Sequence, residues 1–389
     1  MVGLITRVRA VPVNIPLNVP YHCSVGVYSG FTTTVIEIHT EDGLVGIGEA
    51  PTGQSARVIE DRIAPALIGA NPLDLAQCER RAVPPVNAYR NIDDNSIVLA
   101  WGGVETALWD LKGKAYGCSI ADLLGGRVRE HVEFTEYFGL RAFPSGMEDI
   151  THLAAYCAAM VEEHGAQGFE GKAGVLDIRS EVKMVKEIRA AVGDDAMLRL
   201  DANMAYSLTA AREVMHRLEP FHISSFEEPV ASLRELSLLR DSTSISFSSH
   251  EPNLQSALTH RVPDSFVINV AVLGGIRRTV AFASACEAVG LNVWFYAEPG
   301  ISTAAQLQVA SALPWIKDPS QTLARWQTDD VIAGGPFEAK DGAISVPTGP
   351  GLGVELDTAA LQRCNDRYRN DGPLNPYKNP APTTRWYGR

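Results

Sequence analysis

The hydropathy pattern changes its period along the chain. Over residues 32–39 (TTTVIEIH) small or β-branched residues alternate with polar ones. Glu41-Asp42-Gly43 makes a turn and residues 44–49 (LVGIGE) return, which predicts an antiparallel hairpin. The opening stretch MVGLITRVRAVPVNIPL carries Arg7 and Arg9 inside its apolar run, so it reads as a further strand and not as a secretory leader. Residues 22–30 (HCSVGVYSG), rich in Gly and Ser between strands, read as a mobile loop. Residues 55–120 take helical spacing. Within VETALWDLK, Val104, Ala107, Leu108 and Leu111 share one face, and Gly125-Gly126 closes the region.

From about residue 131 the pattern turns to short β-runs, at 132–138, 168–173, 196–201, 223–227, 244–249, 265–270 and 291–297. Amphipathic helices separate them, such as 178–192, where Ile178, Val182, Val185 and Ile188 fall near one face. This repetition predicts βα units and a parallel sheet. Seven units in roughly 200 residues fit a (β/α) barrel better than a doubly wound sheet. No G-x-G-x-x-G follows the first strand, and no phosphate-binding G-x-x-x-x-G-K-[ST] occurs. The expected organisation is an α+β region over 1–128, a barrel over 129–336, and a turn-rich segment over 337–389 that packs back on the first region. Its Pro/Asn/Arg-rich end invites contact with another subunit of a homo-oligomer.

Composition narrows the function. The 389 residues are 46% hydrophobic and 21% charged, which is ordinary for a globular protein. A net charge of −12 lacks the basic footprint of nucleic-acid binding. No window of 18 apolar residues predicts a membrane span. Six cysteines without a C-x-x-C pair suit reduced thiols in a cytoplasm. An anionic substrate stays compatible with the acidity, because a bound divalent metal dominates its local field.

The chemistry-bearing residues sit just after apolar strand patterns. Asp201 ends AMLRLD, Glu227 ends ISSFE, and Glu251 follows ISFSSH; the intervals are 26 and 24 residues, about one βα unit each. In a barrel this spacing puts one carboxylate at the C-terminal tip of three consecutive strands, where barrel enzymes build their sites. Three converging oxygens suit a hard cation such as Mg²⁺. One unit earlier, strand alternation points Glu170 and Lys172 to the same side. They form either an interior ion pair or a base near the metal, where a cation would lower the lysine pKa. Tyr137 and Arg141, near the end of the first barrel strand, are candidate substrate contacts. Gly274-Gly275 lies in a strand-to-helix turn, where a tight-turn role is favoured over phosphate binding at the helix N-terminus. No H-E-x-x-H and no G-x-S-x-G occurs.

The chain resembles the enolase superfamily, in the branch that includes mandelate racemase and glucarate dehydratase. The resembling residues are GIGE (46–49), ALWDLKGK (107–114), Lys172, LRLDAN (198–203), FEEPV (226–230), LGGI (273–276) and TGPGLG (348–353). The resemblance implies a modified (β/α)₇β TIM-type barrel under an α+β N-terminal capping domain. It further implies Mg²⁺-assisted proton abstraction next to a carboxylate through an enediolate, on a small-molecule carboxylate. Asp201 and Glu227 match the first two metal ligands. The third falls on His250 or on Glu251, magnesium's preference for oxygen favouring the latter. Asn203 matches a substrate-contacting position, and residues 22–30 a specificity lid.

Three positions depart from the family pattern. The Lys-x-Lys strand motif is Glu170-Gly171-Lys172, so only its second lysine is present. Asn269 stands at the Asp position, and Tyr296 at the His position, of the opposing His–Asp dyad. Tyr296 or Glu298 is left as the second acid or base. A one-base dehydration of a hydroxylated carboxylic acid, an acid sugar, survives these changes best, with Lys172 as the base. An epimerase or cycloisomerase on the same scaffold is the rival, and a metal- or ligand-binding protein without catalysis the third reading.

Overall fold

The structure is a computed structural model that describes residues 2–84 and 96–374. The Pro/Asn/Arg-rich end and part of the expected helical region 55–120 lie outside the described residues. Strands β1 (Ile5–Cys23), β2 (Gly26–Thr40) and β3 (Val45–Pro51) form an antiparallel N-terminal sheet in the order β1-β2-β3. Val11, Val13, Ile15 and Leu17 alternate inward along β1 and are buried. Helix α1 (Ser96–Tyr116) lies against the sheet. Gly48 permits the close approach: a Cβ there would stand 2.1 Å from the Gly103 carbonyl oxygen.

Eight parallel strands follow: β4 (His131–Phe138), β5 (Gly168–Lys172), β6 (Met197–Asp201), β7 (Ser225–Glu227), β8 (Ser246–Ser249), β9 (Ser265–Ile268), β10 (Asn292–Phe295) and β11 (Ser320–Gln321). They pair in the order β10-β9-β8-β7-β6-β5-β4-β11. The ring closes where the Phe295 N–H donates to the Ser320 hydroxyl at 3.2 Å. The fold is therefore a (β/α)₇β barrel beside an α+β N-terminal domain. The seven expected β-runs are all strands. The eighth, Ser320-Gln321, was not expected, because two polar residues make no hydropathy pattern.

The two regions are joined by a carboxylate. Helix α2 (Ile276–Ala288) starts after Gly275 with no side-chain cap of its own. Glu105 of α1 reaches across and accepts from Ile276 N (2.6 Å) and Arg277 N (3.2 Å), and from Trp109 Nε1 (2.8 Å). Any Cβ at Gly275 would sit 2.3 Å from the Glu105 carboxylate, so this turn requires glycine. Gly274-Gly275 thus opens a helix whose N-terminus is filled from within.

The C-terminal segment divides in two. Strand β12 (Ala343–Ser345) pairs antiparallel with β4, on the barrel and not on the N-terminal domain, because Ile344 buries itself there. Helix α4 (Thr358–Asp371), which follows α3 (Gly300–Ala312), packs on β1 instead. There Asn365 Nδ2 donates to Pro12 O at 2.6 Å and Asn14 Nδ2 to Gly372 O at 2.8 Å. Residues 22–30 are not a loop. They continue β1 and β2 around a two-residue turn, Ser24-Val25. The hairpin tip is held over the barrel mouth by His22 N to Leu140 O (2.8 Å) and Ser24 Oγ to Asn203 O (3.4 Å). All six cysteines are free. Among the described residues no helix is long and apolar enough to cross a membrane.

Candidate active site

Strand register gathers the site. Lys172, Asp201 and Glu227 are direct partners across β5, β6 and β7, so their side chains leave the sheet at one level. His250 follows the end of β8. Its Nδ1 is 3.0 Å from Val267 O, which aims Nε2 at Glu227 Oε1, 2.7 Å away. One ligand atom each from Asp201, Glu227 and His250 lies within 4.8 Å of the others. Glu251 stands outside this set. Beyond Ser249 the chain turns, His250 points inward, and Glu251 is left exposed on the cavity rim with its N–H on Ser249 Oγ (3.1 Å). The three-oxygen set expected at the strand tips is thus two carboxylates and one imidazole.

These charges are coupled through burial. Lys172 Nζ is ion-paired with Asp201 Oδ2 and donates to Asn203 Oδ1 at 2.7 Å. Burial alone would lower the lysine, but Asp201 outweighs it and the ammonium is held well above its ordinary value. The lowering expected beside a cation is opposed by this pair. Burial likewise works to raise Asp201, and Lys172, then His250, override it and hold the carboxyl low. Burial and the neighbouring Asp201 raise Glu227, while burial lowers His250 and Glu227 raises it further, so the Glu227–His250 pair holds a proton near neutral pH. Glu227 Oε1 is fully buried and faces only His250 Nε2. Two buried carboxylates and an imidazole nitrogen converging within 4.8 Å of one another fit a divalent cation.

A cavity of about 640 Å³ opens above this level. Tyr137, Lys172, Asn203, Asn269, Tyr296 and Glu298 all line it. Asn203 Oδ1 is spent on Lys172 and its Nδ2 on Asp201 (3.0 Å). Asn269 Oδ1 accepts from Val272 N at 3.0 Å. The Tyr296 ring stands edge-on to His250, centroids 5.0 Å apart. Burial, then the charge of Glu49, pushes the Glu298 carboxyl well above the carboxylate range.

Two expected substrate contacts lie elsewhere. Glu170 does point inward, but one pleat below Lys172, where it is fully buried under the cavity floor. It accepts from Gln321 Nε2 at 2.7 Å and faces Arg199, 3.5 Å away, and is paired with that arginine instead of Lys172. Arg141 forks onto Glu148, with Nε at 2.9 and 3.0 Å from its two oxygens, and its guanidinium lies over Tyr156. It fixes the segment beneath the hairpin tip and does not line the cavity. Sequence reasoning missed Gln321, which joins Glu170 to Glu227 (3.2 Å), and the hairpin residues Tyr21, Tyr28 and Phe31. Of these only Tyr28 falls within the stretch read as a loop, and Tyr21 and Phe31 flank it.

Comparison with known proteins agrees with this architecture. Residues 5–125 match the mandelate racemase / muconate lactonizing enzyme N-terminal domain, and residues 152–360 match the enolase C-terminal domain-like family. The chain belongs to the mandelate racemase / muconate lactonizing enzyme branch of the enolase superfamily. It is similar to the D-galactarolactone cycloisomerase of Agrobacterium fabrum, 29% identical over 92% of this chain and 97% of the relative. It is similar to the muconate cycloisomerase 1-1 of Acinetobacter lwoffii, 27% identical over 92% and 96%. A Streptomyces coelicolor protein named "Probable glucarate dehydratase" is 26% identical over 94% and 92%. Among solved structures, an enolase of Thermobispora bispora complexed with magnesium and formate superposes with a TM-score of 0.87. It is 27% identical, covering 96% of this chain and 95% of that one.

Proposed function

We propose that this enzyme is a Mg²⁺-dependent carbon–oxygen lyase that removes the proton α to the carboxylate of a hydroxylated acid, with Lys172 as the base. One observation carries the reading: Lys172 leaves β5 at the register level of Asp201 and Glu227. A base and a cation-binding set therefore meet at one point, as α-proton abstraction from a carboxylate requires. Asp201, Glu227 and His250 would hold the cation. When bound, Mg²⁺ supplies the field that stabilises the negative charge left on the substrate carboxylate. A cation held by Asp201 would weaken the hold of that carboxylate on the Lys172 ammonium, which gives its proton to solvent before Nζ takes the α-proton. Asn203 and Asp201 fix the amine, so its direction is set before substrate arrives.

The β-hydroxyl leaves with a proton from Glu298, a carboxyl of the cavity lining that burial keeps protonated. From a 2,3-dihydroxy acid, which keeps its α-hydroxyl, the products are water and an enol that becomes a 2-keto acid; both residues then re-equilibrate with solvent. Asn269 and Tyr296 supply no second base, which argues against two-base racemisation. A second reading is cycloisomerisation, in which an internal carboxylate takes the place of the departing hydroxyl. The cycloisomerase relatives favour it, and the same lysine serves.

The test is a screen of hydroxy acids with Mg²⁺ in D₂O, comparing wild type with Lys172→Ala. A 2-keto acid, trapped with semicarbazide and lost in the variant, supports dehydration. Deuterium exchange without keto acid favours the second reading. Unchanged exchange in Lys172→Ala would overturn the role of the lysine.

A further inference from the structure

The two ends of the cavity differ in chemistry. At one end lie Lys172 and the cation-binding set. From there a row of aromatic rings leads away. The Tyr137 ring centroid is 6.0 Å from Lys172 Nζ, Tyr21 is 5.6 Å from Tyr137, Tyr28 is 5.5 Å from Tyr21, and Phe31 is 5.7 Å from Tyr28. All four rings line the cavity, and Val25, Val272, Leu273 and Leu323 add aliphatic wall.

The polar inventory is short. Among the described residues Lys172 and His250 are the cations of the lining, both at the metal end. The other acidic residues of the lining are Glu228 and Glu251, which adjoin the ligands, and Glu298, which burial keeps protonated. Glu228 is engaged by Ser249 Oγ (3.1 Å) and His250 N (2.9 Å). The amides of Asn203 and Gln321 are spent on Lys172, Asp201, Glu170 and Glu227. A second carboxylate on the substrate would find no cation along the aromatic wall to meet it. Unpaired polar groups of that kind cost more than a lost methylene gains.

We infer that the substrate is a monocarboxylate whose body beyond the reacting carbons is uncharged and stacks along the rings of Tyr21, Tyr28 and Phe31, and not a dicarboxylate. This deepens the proposed function and rests on its placement of the substrate carboxylate at the cation-binding end.

The test is calorimetric binding to the Mg²⁺-loaded enzyme of two probes with the same metal-binding head. Phenylacetohydroxamate carries an aromatic body, and succinic monohydroxamate carries a distal carboxylate. The expected result is at least tenfold tighter binding of the aromatic probe. Val25→Arg, at the half-buried turn of the hairpin, should narrow or reverse that ratio by adding a cation to the wall. Equal affinities, tighter binding of the carboxylate probe, or binding of neither by an enzyme that still binds Mg²⁺ would overturn the inference. Discrimination without deuterium exchange in any screened acid defeats Lys172 as base and leaves the substrate class; exchange without discrimination does the reverse.

Discussion

Glu105→Ala removes the one side chain that satisfies the start of α2. In the wild type its two oxygens accept from Ile276 N, Arg277 N and Trp109 Nε1. Glu105 is 2% exposed, so water does not replace it freely. Each buried donor left without a partner costs about 1–3 kcal/mol. Three of them set a floor of about 3 kcal/mol, since relaxation lets some find water and the terms are not additive. For a cooperative unit larger than 200 residues, 1 kcal/mol moves Tm by about 2 °C, so a fall of about 5 °C is expected by calorimetry. Glu105→Gln keeps one acceptor and should fall between the two. Hydrogen exchange localises the effect: the Ile276 and Arg277 amides should lose protection before those in the middle of α2. Because Asn269, Val272 and Leu273 of the preceding loop line the cavity, KM should rise more than kcat falls. A Tm within 1 °C of wild type together with unchanged amide protection would refute the argument that this carboxylate holds the two regions together.

Three further outcomes are expected. Lys172→Met removes the ammonium that competes with a cation for Asp201, so a saturating Mg²⁺ addition should raise its Tm about twice as much as it raises that of wild type, read by differential scanning fluorimetry. His250→Ala should weaken Mg²⁺ binding by about 100-fold or more, since even groups that only orient a ligand cost 10–100-fold, whereas Glu251→Ala should leave it within about twofold; calorimetric titration separates them. Glu298 is raised above the carboxylate range by burial and must be protonated to act as an acid. Activity should therefore be present below its raised pKa and fall on an alkaline limb as pH rises through it. Glu298→Gln should lower kcat by about 10²-fold or more and remove that limb from the pH–rate profile.

Strand periodicity made Lys172, Asp201 and Glu227 legible, because the end of a β-run in a repeated βα unit has one location in a barrel. The same periodicity put Glu170 inside the barrel but could not say at what depth. Two residues along a strand separate a cavity wall from a floor, and Arg199 and Gln321, from other strands, claim the lower level. His250 and Glu251 are adjacent in sequence, and their division into ligand set and rim depends on a turn after β8 that hydropathy does not encode. Arg141 looked available because its partner, Glu148, is a loop residue with no pattern of its own. The aromatic wall was hidden for a different reason. Tyr21 and Tyr28 meet Tyr137 and Lys172 only after the N-terminal hairpin folds over strands more than 100 residues away.

The pairing of α4 with β1 bears on the order in which the protein comes into being. Asn14 meets its partner Gly372 across 358 residues of chain. The barrel strands are therefore translated while the first strand still waits for its cover. Contacts of such separation form late, because the loop they close is long. The hairpin that carries Tyr21, Tyr28 and Phe31 belongs to that same waiting sheet. The nascent chain can thus assemble its base and cation ligands first and acquire its discriminating wall last, so that selectivity is the final property to mature.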